Sequence, residues 1–577
     1  MKIVFLLLLT SIYVGLGDES NHQYSKGDPV IVWVNKVGPN FNPQETYRYD
    51  SLPFCKPAEK IVSIKSDSMG SLFQGNDLRD SGIAVNFQED RAISSTCTLD
   101  LTEDAVNAFS EAIQNRYWYQ MYVDELPIWG PVGQVDTDKS SPLICTHTKL
   151  AISYNNDRII HVNLTSDAFK PIQVGAKYPM TFEVVWSPTD KQFEDRFDYY
   201  LDVAFFEHQI HWFSIFNSFM MVLFLCGLVA LVLMRTLRND YARYSLDDDG
   251  FDLDNIGEES GWKQVHGDVF RAPLRLPWLC AFFGIGHHFF CTFVILCLLS
   301  IAGNSYRWRG LLLSNAFITW CLTSFVGGYS SGSYYKLNGG RDWKYVFVLS
   351  LCVVPAAVVC VLSFVNFIAI SYSASSTPPV SVILTLVAIW AFICAPLMLV
   401  GTVLGRNLAK AGNFPCRVSS MRRPIPLMPW YFNETTLALL GGILPFGSIL
   451  IEMHFILTAL WNYKFYYVYG FLLLVFGILT IVTVCVTVVI IYFRLNSEDY
   501  RWQWMAFNCG VSTGFYVFLY CCYYFVFKTK MSGFLQDVFY FGYSLLLASG
   551  VSFVCGSVAL TGGLIFVNRI YKDIKSD

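Results

Sequence analysis

The sequence is poor in charged residues, and this scarcity excludes an ordinary water-soluble protein. Only 15% of its 577 residues are Asp, Glu, Lys or Arg, whereas 54% are hydrophobic. One or two soluble cores cannot bury that much apolar surface, and most of it lies in long runs after residue 210, as a lipid bilayer requires. The net charge of −4 provides no dense basic face for phosphate groups. We therefore exclude nucleic acid as a partner.

Sequence motifs of common enzymes are also missing. The chain has no phosphate-binding glycine loop, no zinc-protease helix and no paired Cys-x-x-Cys motif. We therefore predict that the protein is not an enzyme, and we assign it no catalytic residue, no cofactor and no metal site.

The first 17 residues have the three parts of a secretory signal peptide. Lys2 supplies the positive charge, Ile3 to Leu9 form a short apolar run, and Gly15 and Gly17 are the small residues of a cleavage site. An uncleaved anchor is the less favoured interpretation, because the apolar run is too short to span a bilayer comfortably. We predict a signal peptide over 1–17 and delivery of the following domain into the lumen.

Residues 18–207 are predicted to form a luminal, mostly β domain with a sandwich-like fold. Hydrophobic and polar residues alternate in several short segments, as in half-buried strands. Asn155, Asn156 and Asp157 separate two of these segments and favour a tight hairpin turn. One helix is expected from Glu103 to Arg116, with Thr102 as its N-cap. The predicted strands are Pro29 to Val37, Lys149 to Tyr154, Arg158 to Asn163 and Tyr178 to Trp186.

Few cysteines lie in this polar part of the chain. Only Cys55, Cys97 and Cys145 of the 17 cysteines precede the long apolar runs. Because the lumen is oxidising, we expect one pair among the three, with Cys55 and Cys97 as the predicted disulfide and the third left over. The sequon Asn163-Leu164-Thr165 lies on the predicted hairpin and makes Asn163 a predicted glycosylation site.

Nine apolar runs follow, so the predicted fold class is an α-helical bundle of nine transmembrane helices behind the luminal domain. We assign the first helix to 208–234, a cytosolic loop with an acidic linker to 235–277, helices two to nine to 278–567 and a cytosolic tail to 568–577. Basic residues follow the first, fifth and ninth runs, which agrees with a luminal N-terminus and a cytosolic C-terminus. A second sequon at Asn433 would then be cytosolic and unmodified.

Polar residues inside the predicted spans are the candidates for a functional site, because a charge at bilayer depth is costly unless it is paired or hydrated. Glu452 and His454 lie in the sixth span, His287 in the second and Asn366 in the fourth. They could form a proton-linked or substrate-binding site near the helix kink that Pro445 predicts. They could equally form structural hydrogen bonds between spans, and the sequence leaves both alternatives open.

Glycine pairs also occur inside the spans, at 327–328, 441–442 and 562–563. Small residues let helix backbones approach closely. These pairs either pack the protein's own helices together or offer surfaces to the spans of other membrane proteins.

Several long motifs resemble the transmembrane 9 superfamily, also called the nonaspanins or the EMP70 family. The resemblance extends over nearly the whole chain. The motifs are 45–55 (ETYRYDSLPFC), 118–130 (WYQMYVDELPIWG), 193–198 (FEDRFD), 261–271 (GWKQVHGDVFR), 413–418 (NFPCRV), 444–447 (LPFG) and 498–504 (EDYRWQW). One departure is His454, where relatives usually carry an aromatic residue.

The resemblance implies a Golgi and endosomal membrane protein that assists the sorting and localisation of other membrane proteins, including clients with glycine-rich transmembrane helices. The family's C-terminal Lys-x-Asp/Glu signal is read by the COPI coat, and it matches Lys575-Ser576-Asp577 here. The implied partners are thus the COPI coat, client membrane proteins and membrane lipid. The alternative function is a small-molecule, ion or lipid transporter that uses Glu452, Asn366 and His287.

Overall fold

A computed structural model describes residues 22–54, 69–136, 141–200, 208–248, 261–303, 310–461 and 468–572. The described part consists of an N-terminal β domain and a bundle of long helices. The predicted fold class is confirmed.

Two five-stranded sheets form the β domain. One has the order β11-β10-β12-β6 with β9 beside β10, and the other has the order β3-β2-β7-β8 with β4 beside β2. Both contribute to a single hydrophobic core, and β1 and β5 form a separate short pair. The strands are β1 (Pro29–Val30), β2 (Val32–Pro39), β3 (Tyr47–Arg48), β4 (Arg79–Asp80), β5 (Val85–Asn86), β6 (Arg91–Asp100), β7 (Tyr117–Val123), β8 (Leu126–Pro131), β9 (Gly133–Val135), β10 (Pro142–Asn155), β11 (Arg158–Pro171) and β12 (Lys177–Pro188).

The predicted hairpin is the long antiparallel pair β10–β11, in which Leu150 lies opposite Leu164. Asn156 adopts a φ of 54° in its turn, a left-handed conformation that asparagine tolerates better than most residues. The sequence predicted only the regularly alternating part of each strand. Both strands extend further, because their pairing continues after the burial pattern becomes irregular.

Two short helices belong to the β domain, α1 (Met69–Phe73) and α2 (Glu103–Gln114). The predicted N-cap of α2 is confirmed, since the Thr102 side chain accepts a hydrogen bond from the backbone N–H of Ala105. Phe109 and Ile113 on one face of α2 are buried in the core. The helix ends two residues before the predicted Arg116, which has a positive φ of 53°.

Nine helical spans within the described residues are long and apolar enough to cross a membrane. The fifth consists of α7 and α8 joined by one π-helical turn, Trp390–Cys394. The helices are α3 (His208–Asp248), α4 (Leu276–Gly303), α5 (Leu311–Leu337), α6 (Trp343–Ser371), α7 (Val380–Ile389), α8 (Ala395–Leu408), α9 (Glu434–Trp461), α10 (Tyr469–Asn496), α11 (Trp502–Lys528) and α12 (Phe534–Tyr571).

Some helices continue past the predicted spans. Helix α3 extends to Asp248, although its apolar part is Phe216–Arg235, and α12 extends to Tyr571, past the predicted limit of 567. Hydropathy identifies only the part of a helix that is apolar enough to lie in lipid. The helix can continue beyond that part, because Arg, Leu and Lys all favour helix formation. Most of the acidic linker predicted after α3 lies outside the described residues.

The glycine pairs pack the protein's own helices together. A Cβ added at Gly328 would come within 3.0 Å of the Met398 carbonyl oxygen, so α5 and α8 touch backbone to backbone. Gly442 is similarly close to α11, and Gly562 is close to Val484 of α10. Close approach of this kind is how small residues stabilise helix pairs in lipid. At these positions, internal packing is the correct alternative.

The β domain is docked on one end of the bundle, which we call the domain end. Asn42 donates its side-chain N–H to the carbonyl of Ser532 just before α12, at 2.6 Å. Ser375, between α6 and α7, donates its backbone N–H to the Thr46 carbonyl at 2.7 Å. At a third point, the Gly70 N–H reaches the hydroxyl of Ser314 in the first turn of α5. We call the opposite end of the helices the far end.

Candidate functional site

Glu452 and His454 lie in the sixth span, on a helix that continues through Pro445 without a break. Glu452 is buried, with 3% of its surface exposed. The Nδ1 atom of His454 is 3.3 Å from the Tyr520 hydroxyl on α11. One turn later, the Thr458 hydroxyl is 3.0 Å from that of Tyr524. His454 therefore belongs to a hydrogen-bonded seam between the sixth and eighth spans.

His287 joins the second span to the ninth. Its Nδ1 donates to the Phe283 carbonyl one turn earlier at 2.9 Å, and its Nε2 is 3.2 Å from the Thr561 hydroxyl on α12. The adjacent His288 makes a separate bond, since its Nε2 lies 2.8 Å from the Trp320 carbonyl on α5. A carbonyl can only accept, so Nε2 of His288 carries the proton. Both rings bond neighbouring helices, and the described residues contain no group of three metal-binding side chains.

Asn366 lies close to the domain end of α6. Its neighbours Val365 and Ala369 pack against Phe539 near the start of α12. Thr561, the partner of His287, follows Phe539 by 22 residues, or about 33 Å at 1.5 Å per helical residue. Asn366 and His287 therefore lie far apart along the helix axes of the bundle.

The structure does not gather the predicted polar residues into one site. The helix of Glu452 and His454 packs mainly against α10 and α11, whereas the helix of Asn366 packs against α4, α5, α8 and α12. Of the four residues, only Glu452 and His454 share a helix. The Oδ1 atom of Asn366 is buried and has no hydrogen-bond partner among the described residues.

Sequence reasoning missed a network of charged residues at the far end of the bundle. Its centre is an ion pair between Arg494 at the end of α10 and Asp499 in the next loop, with a nitrogen–oxygen distance of 2.6 Å. The exposed fractions of these side chains are 3% and 0%. Arg501 adds a second cation at 2.9 Å. Burial alone would raise the pKa of Asp499, but Arg501 and Arg494 outweigh it and hold this pKa below its usual value.

Arg423, between the fifth and sixth spans, extends the network to a second motif. Its guanidinium donates to the side chain and the backbone carbonyl of Gln264 and is 3.1 Å from the Glu498 carboxylate. Its backbone N–H donates to Asp268 at 3.0 Å. Arg271 forms an ion pair with the same Asp268. The charged residues of motifs 261–271 and 498–504 thus meet through one arginine.

Two aromatic side chains fix the remaining elements at the far end. The indole N–H of Trp502 donates to the Val269 carbonyl at 2.8 Å, and the Tyr571 hydroxyl donates to the Trp262 carbonyl at 2.6 Å. The last turn of α12 is therefore held against the segment that precedes α4. We call the residues Asp268, Arg423, Arg494, Asp499, Trp502 and Tyr571, together with their partners, the far-end network.

A second buried ion pair joins two motifs within the β domain. Asp124, in the turn between β7 and β8, has no exposed surface and pairs with Arg196 at 2.9 Å. The His22 Nδ1 lies 2.7 Å from the same carboxylate, and the Tyr24 hydroxyl donates to it at 2.9 Å. The motifs 118–130 and 193–198 therefore meet at one carboxylate.

The remaining predicted sites are in or beside the β domain and in the tail. Asn163 lies on β11 and is exposed. Cys97 is disulfide-bonded, and Cys145 is a free, buried thiol. Cys55, Lys575 and Asp577 lie outside the described residues, so the Cys55–Cys97 pair and the tail signal stay predictions.

Comparison with known proteins supports the resemblance along the whole chain. Residues 46–534 match the family model of Endomembrane protein 70. The chain is 36% identical to Transmembrane 9 superfamily member 2 and to member 3 of Arabidopsis thaliana, over 100% of this chain and 99% of each relative. It is 35% identical to member 1 of Bos taurus, over 100% of this chain and 97% of the relative.

These identities are so similar that they do not single out one member of the superfamily, including member 3. No solved structure matches the chain. The family match and the full-length relatives agree with the nine spans and the β domain, and the chain belongs to the EMP70 family, the transmembrane 9 superfamily.

Proposed function

We propose that this protein assists the sorting and localisation of other membrane proteins in Golgi and endosomal membranes, and that the COPI coat retains it there. The observation that carries the retention proposal is the position of the last helix. Helix α12 ends at Tyr571, which is anchored in the far-end network, away from the β domain. If the β domain is luminal, the six residues that follow Tyr571 begin at the cytosolic surface, where coat proteins act.

The tail has the chemistry of a coat signal. Lys575 contributes a compact cation, and Asp577 contributes a carboxylate. Ion pairs with a charged pocket would be stronger than neutral hydrogen bonds, and the short distance from α12 restricts the volume that the tail can search.

Client binding would take place at the surfaces that the protein does not use for its own packing. Neighbouring helices occupy the space beside the glycines at 328, 442 and 562. In contrast, no described atom lies within 4 Å of a Cβ added at Gly477 or Gly550. A client helix with small residues could approach the backbone at such open positions.

Localisation of an internally tagged chain tests the retention proposal. We expect Lys575→Ala combined with Asp577→Ala to leave the Golgi, because both charged groups of the signal are removed. Ser576→Ala is the matched control, since it changes the same tail without altering its charge. Golgi residence of the double variant at the wild-type level would contradict recognition through the tail.

A transporter is the second candidate, and the burial of Glu452 inside the sixth span is the observation that favours it. Flux of labelled solutes into vesicles that contain the purified protein would reveal such an activity. Flux that Glu452→Gln abolishes would support transport. Normal client trafficking in a Glu452→Gln cell line without measurable flux in vesicles would support sorting.

A further inference from the structure

A cavity of about 400 Å³ lies between the two sheets of the β domain. Val34 and Met121 line it from one sheet and Phe182 from the other. Protein interiors seldom leave voids much larger than a water molecule, whereas small-molecule sites begin at about 300 Å³. A space of this size inside the β domain is therefore a candidate ligand site.

The interior of the cavity suits an apolar occupant. Asn35, its most buried polar wall residue, donates to the side chains of Asn76 and Gln120 at 2.9 Å each. Cys145 donates its S–H to a backbone carbonyl at 3.2 Å. Because these wall groups already bond within the protein, an occupant would gain free energy mainly by removing apolar surface from water.

The mouth of the cavity carries alternating charges. Asp77 pairs with Arg48 at 3.0 Å and with Arg79 at 2.9 Å, and Arg79 also pairs with Asp50 at 3.0 Å. Their side chains are between 31% and 54% exposed, so a ligand can reach them. Guanidinium groups bind phosphate, and carboxylates bind ammonium groups. The mouth is thus complementary to a zwitterionic head group.

The mouth also lies next to the membrane-spanning helices. Arg48 follows Thr46 by two residues, and the Thr46 hydroxyl accepts a hydrogen bond from Ser375 in the loop between α6 and α7. At about 3.3 Å per residue of extended chain, Arg48 at the mouth is within about 7 Å of Thr46, which contacts that loop. Helix α6 ends there with apolar side chains facing outward, such as Ile370, which is 62% exposed. A lipid in the adjacent leaflet would therefore be within reach.

We propose that this cavity binds an acyl chain of a zwitterionic phospholipid from the adjacent leaflet, with the phosphate at Arg48 and Arg79 and the amine at Asp50 and Asp77. The proposal does not depend on the sorting function. An apolar peptide is the rival occupant. The nearness of lipid and the balanced charges of the mouth favour the phospholipid.

Photo-crosslinking of the full chain in nanodiscs tests the proposal. The probe is phosphatidylcholine with a diazirine in its acyl chain, and mass spectrometry locates the labelled peptides. We expect label on β2, β7 and β12 in the wild type. Met180→Trp should reduce this label several-fold, because the larger side chain projects into the cavity from its wall. Val174→Trp is the matched control, since Val174 is 65% exposed and lies outside the cavity.

Thermal unfolding identifies a variant that fails to fold, and Ile83→Trp, which fills the cavity from a different wall segment, then replaces Met180→Trp. Label confined to the membrane helices, or cavity label that a folded filling variant leaves unchanged, overturns the proposal. Cavity label from a diazirine-bearing apolar peptide but not from the lipid overturns it in favour of a peptide site. Unchanged lipid label after Arg48→Gln with Arg79→Gln overturns the head-group assignment.

Discussion

The ion pair of Arg494 and Asp499 is the most completely buried pair in the far-end network. Taking two charges out of water costs several kcal/mol per ion, and their attraction offsets that cost only when the geometry is good and the other polar atoms are bonded. Here Asp499 accepts from Arg494, Arg501 and the Arg501 backbone N–H. Loss of Asp499 would leave the Arg494 charge buried without its counter-ion.

Removing the Asp499 charge should destabilise the protein. Asp499→Asn keeps the shape of the side chain but leaves Arg494 buried without its counter-ion, so we expect a loss of about 3 kcal/mol or more in the free energy of unfolding. Thermal unfolding of the purified full chain in detergent measures this. The control is Arg501→Gln, whose side chain is 54% exposed in the wild type and should cost less than about 1 kcal/mol.

The destabilisation caused by Asp499→Asn should become smaller in strong acid. Because the pKa of Asp499 is lower in the folded protein than its usual 3.8, the pair stabilises the fold fully above that value. The stabilisation is lost as the pH falls through the lowered pKa. The difference between wild type and Asp499→Asn should thus be constant near neutral pH and shrink in strong acid. A difference that grew on acidification would contradict this assignment.

At the level of residues, the sequence indicated which side chains were unusual but not what they would contact. Glu452 and His287 stood out because they interrupt apolar runs, and both lie within membrane-spanning helices. The partner of His287 on another helix, Thr561, comes from a segment far away in the chain. The pairing of Arg494 with Asp499 was not indicated, because charges at the end of a span are ordinary and only the packed loops bury them.

Among the elements, the pair α5–α8 depends most clearly on glycine. A Cβ at Gly401 would come within 3.0 Å of the Phe325 carbonyl oxygen, and one at Gly405 would be as close to the Tyr329 carbonyl. These obstacles are backbone atoms, so they cannot move away without shifting a whole helix. The Gly328 and Gly332 positions on α5 face α8 in the same way.

Gly401→Ala should therefore separate α5 from α8 and cost about 1–3 kcal/mol, the usual range for overpacking. Gly477→Ala is a matched control in another span, because no described atom lies within 4 Å of its added Cβ. Alanine also has the better helix propensity, so the control should be unchanged or slightly more stable. The unfolding temperatures of the two purified variants compare them. Equal temperatures would show that the two helices do not need close contact.

The long helices and the long hairpin were predictable because the sequence pattern within each element determines it. Apolar runs specify the spans, and alternation with a polar turn specifies the β10–β11 hairpin. The π-helical turn Trp390–Cys394 in the fifth span was not predictable, since its residues are as apolar as their neighbours. The pairing of β10 with β12 was equally hidden, because parallel pairing joins strands separated by another strand and depends on the whole domain.

At the scale of the whole molecule, the contacts at the two ends of the bundle show that consecutive spans run in alternating directions. The β domain contacts the start of α5, the loop between α6 and α7 and the loop before α12, whereas the far-end network joins the loops before α4, before α9 and before α11. Each helix between these points must cross from one end to the other. Nine such crossings among the described residues place the end of α12 opposite the β domain.

The two sequons lie on opposite sides of this arrangement and can test it in a cell. Asn163 is exposed on the β domain, and Asn433 is exposed at the far end just before α9. Glycosylation occurs only in the lumen, so a luminal β domain predicts a sugar on Asn163 and none on Asn433. We expect glycosidase treatment to increase the gel mobility of the wild type and of Asn433→Gln, but not that of Asn163→Gln. A shift that Asn433→Gln alone removes would reverse the assigned orientation and place the tail on the side where no coat protein could bind it.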